Sequence, residues 1–164
     1  IKDNPKLTCR INGMLHKTPP RVILDSKLSV PISSNLIKES HIYKTIVFYN
    51  KMNKKKIMLL KKSKVKVFKL PLNKKGELNL RICLIKLKKI GFSRIFLESG
   101  LKLTNSFFRE NLIDDFKLFI SNKNLGSNGA GSIKKYFKLF LKNKKKIDIK
   151  VNLVGDRLIS YKLK

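Results

Sequence analysis

The chain has 164 residues, 42% of them hydrophobic, which suits one domain with a buried core and is too apolar for a disordered tail. Basic residues outnumber acidic ones 39 to 10, a formal net charge of +29. No apolar run approaches the length of a membrane span and no signal-peptide pattern opens the chain, so a membrane role is not expected.

In chain order, Asp3-Asn4-Pro5-Lys6-Leu7-Thr8-Cys9-Arg10 reads as a loop, since the residue before a proline is driven into an extended or turn conformation. Arg21–Asp25 is a short apolar strand with a polar exit at Asp25-Ser26. Thr45–Tyr49 is a second strand, and Val65–Phe68 alternates as a third, nearer a sheet edge. Asn79 caps a helix whose Leu80, Cys83, Leu84 and Leu87 share one face, and Gly91 ends it. Ile95–Leu97 reads as a buried strand that closes on Glu98-Ser99-Gly100. A helix from about Leu101 to Leu112 follows, with Leu103, Phe107, Phe108 and Leu112 inward. Phe116–Ile120 is another strand. The glycine-rich loop Gly126–Gly131 precedes an apolar stripe of Ile133, Tyr136, Phe137, Phe140 and Leu141. Ile147, Ile149, Val151 and Leu153 alternate, Gly155-Asp156 turns, and Leu158 onward returns as a closing hairpin. Strands alternating with helices imply parallel central strands joined by right-handed crossovers. The expected fold is a three-layer α/β/α domain with a mixed sheet.

Glu98 is the most informative candidate. It is one of ten acidic residues and stands where a strand ends, the place at which open α/β sheets bind ligands. The alternative is that it caps the following helix, because acids favour helix N-termini. Arg10 is one of only six arginines, and a guanidinium suits a phosphate ester; an ordinary surface arginine is the competing reading. Asp25-Ser26 suits either a cofactor hydroxyl or phosphate, or a plain Asx-type turn. The Gly126–Gly131 loop has the outer spacing of a phosphate-binding P-loop, but Ser132 takes the place of its lysine and Lys134 that of the last glycine of a dinucleotide fingerprint. His16 and His41 are isolated, so neither a metal nor a hydrolytic triad is expected. Cys9 and Cys83 form no disulfide framework, which fits a reducing, cytoplasmic setting.

The charge is read as coding bias spread over a solvated surface. Lysines far outnumber arginines, the chain has no Trp or Gln, and Ala130 is its one alanine. The runs Lys54–Lys56 and Lys144–Lys146 stand in loop-like places with no aromatic residues interleaved, unlike a single-strand binder. Nucleic acid is therefore expected to bind only nonspecifically.

Asp3-Asn4-Pro5-x-Leu7-Thr8-x-Arg10, Arg21-Val22-Ile23-Leu24-Asp25-Ser26, Glu98-Ser99-Gly100 and Leu112-Ile113-Asp114-Asp115, in this order, resemble the reductase domain of the bacterial riboflavin-biosynthesis deaminase/reductase family. The resemblance spans nearly the whole chain. It implies a dihydrofolate-reductase-like fold and an NADPH-dependent reduction that turns the ribose of a phosphorylated ribosylaminopyrimidine into a ribityl chain. It further implies that Leu7, Arg10 and Glu98 contact the substrate. Asp3, Ser26 and the run Gly100, Leu101, Lys102, Leu103, Thr104, Asn105 and Ser106 would contact NADPH, the last through main-chain donors at a helix N-terminus. No residue stands out as the general acid. Family members commonly form homodimers.

Leu101 stands where the family usually has proline, and Asn4 where a second aspartate is common. The family's reductase domain also begins upstream of the position matched by Ile1. Residues 1–164 are thus expected to form a single reductase domain lacking its N-terminal part and any preceding deaminase domain, with a sheet edge left exposed. A pterin- or folate-type reductase of the same fold, a basic nucleic-acid-binding module and a non-catalytic remnant are the competing readings.

Overall fold

The computed structural model describes residues 3–123, 137, 139–150 and 155–164. The chain divides into two compact units, Ile1–Ser93 and Arg94–Lys164.

The first unit is built on three parallel strands, β1 (Arg21–Leu24), β2 (Thr45–Tyr49) and β3 (Lys66–Lys69), with β2 in the centre. Pairing is in register from Arg21 opposite Thr45 and from Ile46 opposite Lys66. Every residue of β2 is buried, as expected of a parallel strand covered on both faces. Ile46 and Phe48 pack with Leu78, Cys83 and Leu87 on one side, while Val47 and Tyr49 pack with Leu36, Ile37 and Leu60 on the other. The covering helices are α1 (Asn35–Lys38), α2 (Lys54–Lys62) and α3 (Leu80–Lys89). Short 3-10 turns lie at Leu15–Lys17 and Glu39–His41.

The expected strands at Arg21 and Thr45 are present, and β3 begins one residue later than expected, at the sheet edge. Helix α3 is capped as expected: Asn79 Oδ1 accepts from the Ile82 amide. Gly91 follows with φ +100°, a conformation that an L side chain resists. The lysine run Lys54–Lys56 is not a loop. It forms the first turn of α2, where Asn53 Oδ1 accepts from the Lys56 amide and satisfies one of the helix's orphan donors.

The second unit holds α4 (Leu101–Arg109) and an antiparallel sheet of β4 (Asp115–Ile120), β5 (Lys145–Ile149) and β6 (Arg157–Lys162), ordered β4-β6-β5. The hairpin expected at the C-terminus is the β5–β6 pair, and Gly155 has φ +90°. Lys145 and Lys146 belong to β5 rather than to a loop. Phe108 fastens α4 to the sheet, with its ring centroid 5.2 Å from Phe116 edge-on and 4.7 Å from Phe137. Helix α4 stops at Arg109, short of Leu112, and Asn111 takes a left-handed φ of +53°. The expected strand Ile95–Leu97 is absent: these residues form no ladder with any described residue, and Ile95 and Phe96 are 45% and 77% exposed. A short apolar run becomes a strand only where a partner strand completes its hydrogen bonds. The Gly126–Gly131 loop, Ile133, Tyr136, Val151 and Leu153 lie outside the described residues.

Burial in the first unit's core pushes the Cys83 thiol from its ordinary 9.0 up to about 12. A folded value above the unfolded one means that the buried thiol's contribution is intact below pH 9 and is lost as pH rises towards 12. Loss accrues at up to about 1.4 kcal/mol per pH unit. Urea unfolding at pH 8 and pH 10.5 should therefore show wild type losing more stability than Cys83→Ala. Equal losses in the two proteins would mean that the thiol is not the cause.

Candidate functional site

In the first unit the loop Asp3–Arg10 lies against α1 and the N-terminal end of β1. Its shape is unusual for non-glycine residues: Asn4 has φ +40° and Leu7 has φ +52°. Asparagine tolerates the left-handed region, but a leucine there costs about 1–2 kcal/mol. Such a conformation persists only where its surroundings fix it.

Several fastenings do so. The Asn35 amide donates to Asn4 Oδ1 at 2.9 Å, and Asn35 Nδ2 donates to the Asn4 carbonyl at 2.8 Å. Arg21 donates to the Lys6 carbonyl at 3.0 Å. The Cys9 amide donates to Thr18 Oγ1 at 3.1 Å. The Leu7 side chain is half-buried against the core cluster that includes Leu36 and Ile37. Asp3 and Arg10 remain exposed, so the loop ends in two free charged groups that a ligand can meet.

Asp25 and Ser26 follow β1 at the carboxyl end of the parallel sheet. The Asp25 carboxylate is already committed: Oδ1 accepts from Ser29 Oγ at 2.9 Å and Oδ2 from the Val30 amide at 2.7 Å. It is the turn-forming alternative that holds for Asp25. The Ser26 carbonyl accepts from the Asn50 and Lys51 amides at 3.0 and 2.8 Å, which ties the ends of β1 and β2 together. The half-buried Ser26 hydroxyl bonds to no described residue and is free for a ligand.

In the second unit Glu98 is exposed in the segment before α4. It does not cap the helix. Gly100 is the N-cap residue and offers no side chain to the helix amides, while the Ser99 hydroxyl donates to the Gly100 carbonyl at 3.4 Å. The amides of Leu101 and Leu103 precede the first helical bond, which runs from the Thr104 amide to the Gly100 carbonyl at 3.2 Å. An N-terminus left open in this way favours an anion. Thr104 Oγ1 lies 2.9 Å from Ser99 Oγ and steadies the turn. Asn105 is half-buried. Ser106 is buried, with its hydroxyl donating to the Lys102 carbonyl at 3.2 Å, so its side chain serves the helix. Seen by unit, Asp3, Leu7, Arg10 and Ser26 belong to the first, and Glu98 and Gly100–Ser106 to the second.

Two features were not anticipated from sequence. One is Arg21, buried at the start of β1 among carbonyl groups. The other is an open depression of about 750 Å³ beside α2, lined by Tyr49, Met52, Ile57, Met58 and lysines of the helix. The signal for it was present in the spacing of Lys54, Ile57, Met58 and Lys61 along one helical face. None of the expected site residues lines it.

Among the described residues no helix is long and apolar enough to cross a membrane, and no cluster of His, Cys, Asp or Glu could hold a metal ion. Both cysteines are free thiols.

The family model of the RibD C-terminal domain matches residues 1–152. The riboflavin biosynthesis protein RibD of Aquifex aeolicus is 34% identical, over 99% of this chain and 43% of its own length. The protein of the same name from Chlamydia muridarum is 29% identical, over 94% of this chain and 41% of its own. The chain thus spans about two fifths of these relatives. Among solved structures, Acinetobacter baumannii RibD superposes with a TM-score of 0.68 at 18% identity, covering 98% of this chain and 43% of that one. A pyrimidine reductase-like protein from Corynebacterium diphtheriae gives 0.71 at 16% identity, covering 98% and 71%. The α/β fold, with its parallel and antiparallel sheets, is shared with these structures.

Proposed function

Because the chain belongs to the RibD C-terminal domain family, we propose that it is the pyrimidine reductase part of a riboflavin-biosynthesis protein. It reduces 5-amino-6-(5-phosphoribosylamino)uracil to the ribitylamino product. In this reading residues 1–164 act as one reductase domain of dihydrofolate-reductase-like, three-layer α/β/α architecture, working in the cytoplasm as a homodimer.

The observation that carries the reading is the Asp3–Arg10 loop. It is locked in a strained shape, yet leaves a carboxylate and a guanidinium exposed at its two ends. Strain held by surrounding bonds is a mark of preorganised binding loops. Arg10 meets the substrate's phosphate or ribose, the half-buried Leu7 packs against it, and Glu98 accepts a hydrogen bond from it.

The chain's donors fit a phosphorylated dinucleotide. The open N-terminus of α4 offers main-chain N–H groups to a phosphate, Gly100 has no atom within 4 Å of where a Cβ would stand, and the Ser26 hydroxyl is unengaged. Asp3 and Ser26 of the first unit and Gly100–Ser106 of the second would each contact NADPH, with Ser106 contributing through its backbone. NADPH, when bound, supplies the hydride accepted by the first carbon of the opened sugar. The protein's part is to position the two partners and to keep the sugar carbon aligned.

An NADPH titration of the intact gene product at moderate salt, with NADH and a DNA oligomer in parallel, tests this. NADPH should bind saturably, more tightly than NADH, and with affinity that survives added salt. Binding equal for all three ligands and erased by salt would be counterion-driven polyanion binding, and would overturn the reading.

A further inference from the structure

Arg21 opens β1 and is 3% exposed. Its guanidinium reaches five other residues. Nε and Nη2 donate to Thr45 Oγ1 on β2 at 3.2 and 2.9 Å. Nη2 also donates to the carbonyls of Leu36 on α1 at 3.0 Å and of Tyr43 at 3.2 Å. Nη1 donates to Glu39 Oε2 at 3.2 Å and to the Lys6 carbonyl at 3.0 Å. The guanidinium carbon stands 5.3 Å from the centre of the Tyr43 ring.

Filling this volume does not require a charge. Burial disfavours the cation, lowering its pKa, and Glu39 offsets that only in part. An apolar side chain could fill the space, but it would leave the Lys6, Leu36 and Tyr43 carbonyls and the Glu39 carboxylate without their donor. What an apolar residue lacks is a planar fork of donors able to bind sheet, helix and loop at once. The loop bond falls on Lys6, next to the left-handed Leu7.

We propose that Arg21 is a positioning residue for the reductase: it clamps the Asp3–Arg10 loop to the sheet, and thereby holds Leu7 and Arg10 in the arrangement that receives the phosphorylated pyrimidine. The inference rests on the reading of that loop as the substrate site. Asn35 is the second half of the clamp, through its two bonds to Asn4. Arg21 touches no substrate; it acts through the Lys6 carbonyl.

The test uses the full gene product carrying Arg21→Lys or Asn35→Ala. Steady-state reduction is measured against the pyrimidine and against NADPH. Alkylation of Cys9 and Cys83 by iodoacetamide is followed by mass spectrometry. Cys9 is half-buried within the loop and Cys83 is buried in the core, so the first reports on the clamp and the second on global folding. Lysine keeps the charge but cannot reproduce the fork. Arg21→Lys should raise KM for the pyrimidine by on the order of tenfold, the loss of about one charge-assisted hydrogen bond. It should leave kcat within about twofold, raise KM for NADPH by less than KM for the pyrimidine because Asp3 is the one loop residue assigned to the cofactor, and speed Cys9 alkylation severalfold while Cys83 stays protected. Asn35→Ala, which disturbs no core residue, should move KM and Cys9 reactivity in the same direction by less. An unchanged KM with unchanged Cys9 reactivity overturns the clamp. So does a general loss in which kcat, both KM values and Cys83 protection change together, since that marks a merely structural residue. If wild type turns over none of this substrate, the functional reading fails by itself. Cys9 reactivity in the two variants then still decides whether Arg21 holds the loop.

Discussion

Replacing Glu98 by Gln in the full gene product should lower kcat/KM for pyrimidine reduction about 30- to 100-fold, while NADPH affinity stays within about twofold. The size follows from losing one charge-assisted hydrogen bond, worth about 2–3 kcal/mol where the site excludes water. The isosteric amide keeps shape and removes charge, so folding is spared. Glu98 is exposed in the free protein and supports no packing, which makes a structural explanation of such a loss poor. Arg10→Ala should act in parallel, with a loss that is largest for the phosphorylated substrate and shrinks for its dephosphorylated analogue. An Arg10 that served only solubility would show no dependence on the phosphate. Neither substitution should change DNA binding beyond the effect of a unit of charge, which separates this reading from a nucleic-acid module. Activity retained by both variants would remove the substrate site from these residues.

How far these residues were legible follows from what a sequence pattern encodes. β2 and α3 could be bounded closely because their signals are local: a β-branched and aromatic run in one, a capping asparagine with apolar spacing in the other. Helix α2 was obscured because Lys54–Lys56 suggests solvent, yet Asn53 before the apolar positions Ile57 and Leu60 carried the same capping signal as Asn79. Ile95–Leu97 misled in the opposite direction. Its apolar content is genuine, but strand pairing is a property of two segments, and composition states only one of them. The Asp3–Arg10 loop was legible as a motif but not as a shape. The left-handed turn at Leu7 is fixed by Asn35 and Arg21, which are distant in sequence and bear no periodic relation to it. The role of Arg21 was invisible for that reason: its partners are mostly backbone carbonyls, which every residue possesses.

Phe48→Ala should be the most damaging single substitution in the first unit, lowering stability by about 3–5 kcal/mol. Phe48 is fully buried in the central strand, and its ring centroid lies 5.8 Å from that of Phe68. Strand β2 is covered on both faces, so the neighbours cannot collapse into the space without shifting β1 or β3. Since whole domains are stable by only about 5–15 kcal/mol, the variant should melt well below wild type, by roughly 15–30 °C on a thermal scan. Phe119→Ala provides the contrast. It removes the same ring from strand β4, but Phe119 is 64% exposed, and its loss should stay under about 1 kcal/mol. The same substitution links fold to function. The Phe48 carbonyl accepts from the Asp25 amide at 2.9 Å, and Asp25 carries the turn that presents Ser26. Phe48→Leu, which keeps most of the volume, should fold and yet show weaker NADPH binding than Phe119→Ala. Equal NADPH affinity in those two variants would mean that the packing beneath β2 sustains the domain without setting the geometry at its carboxyl end.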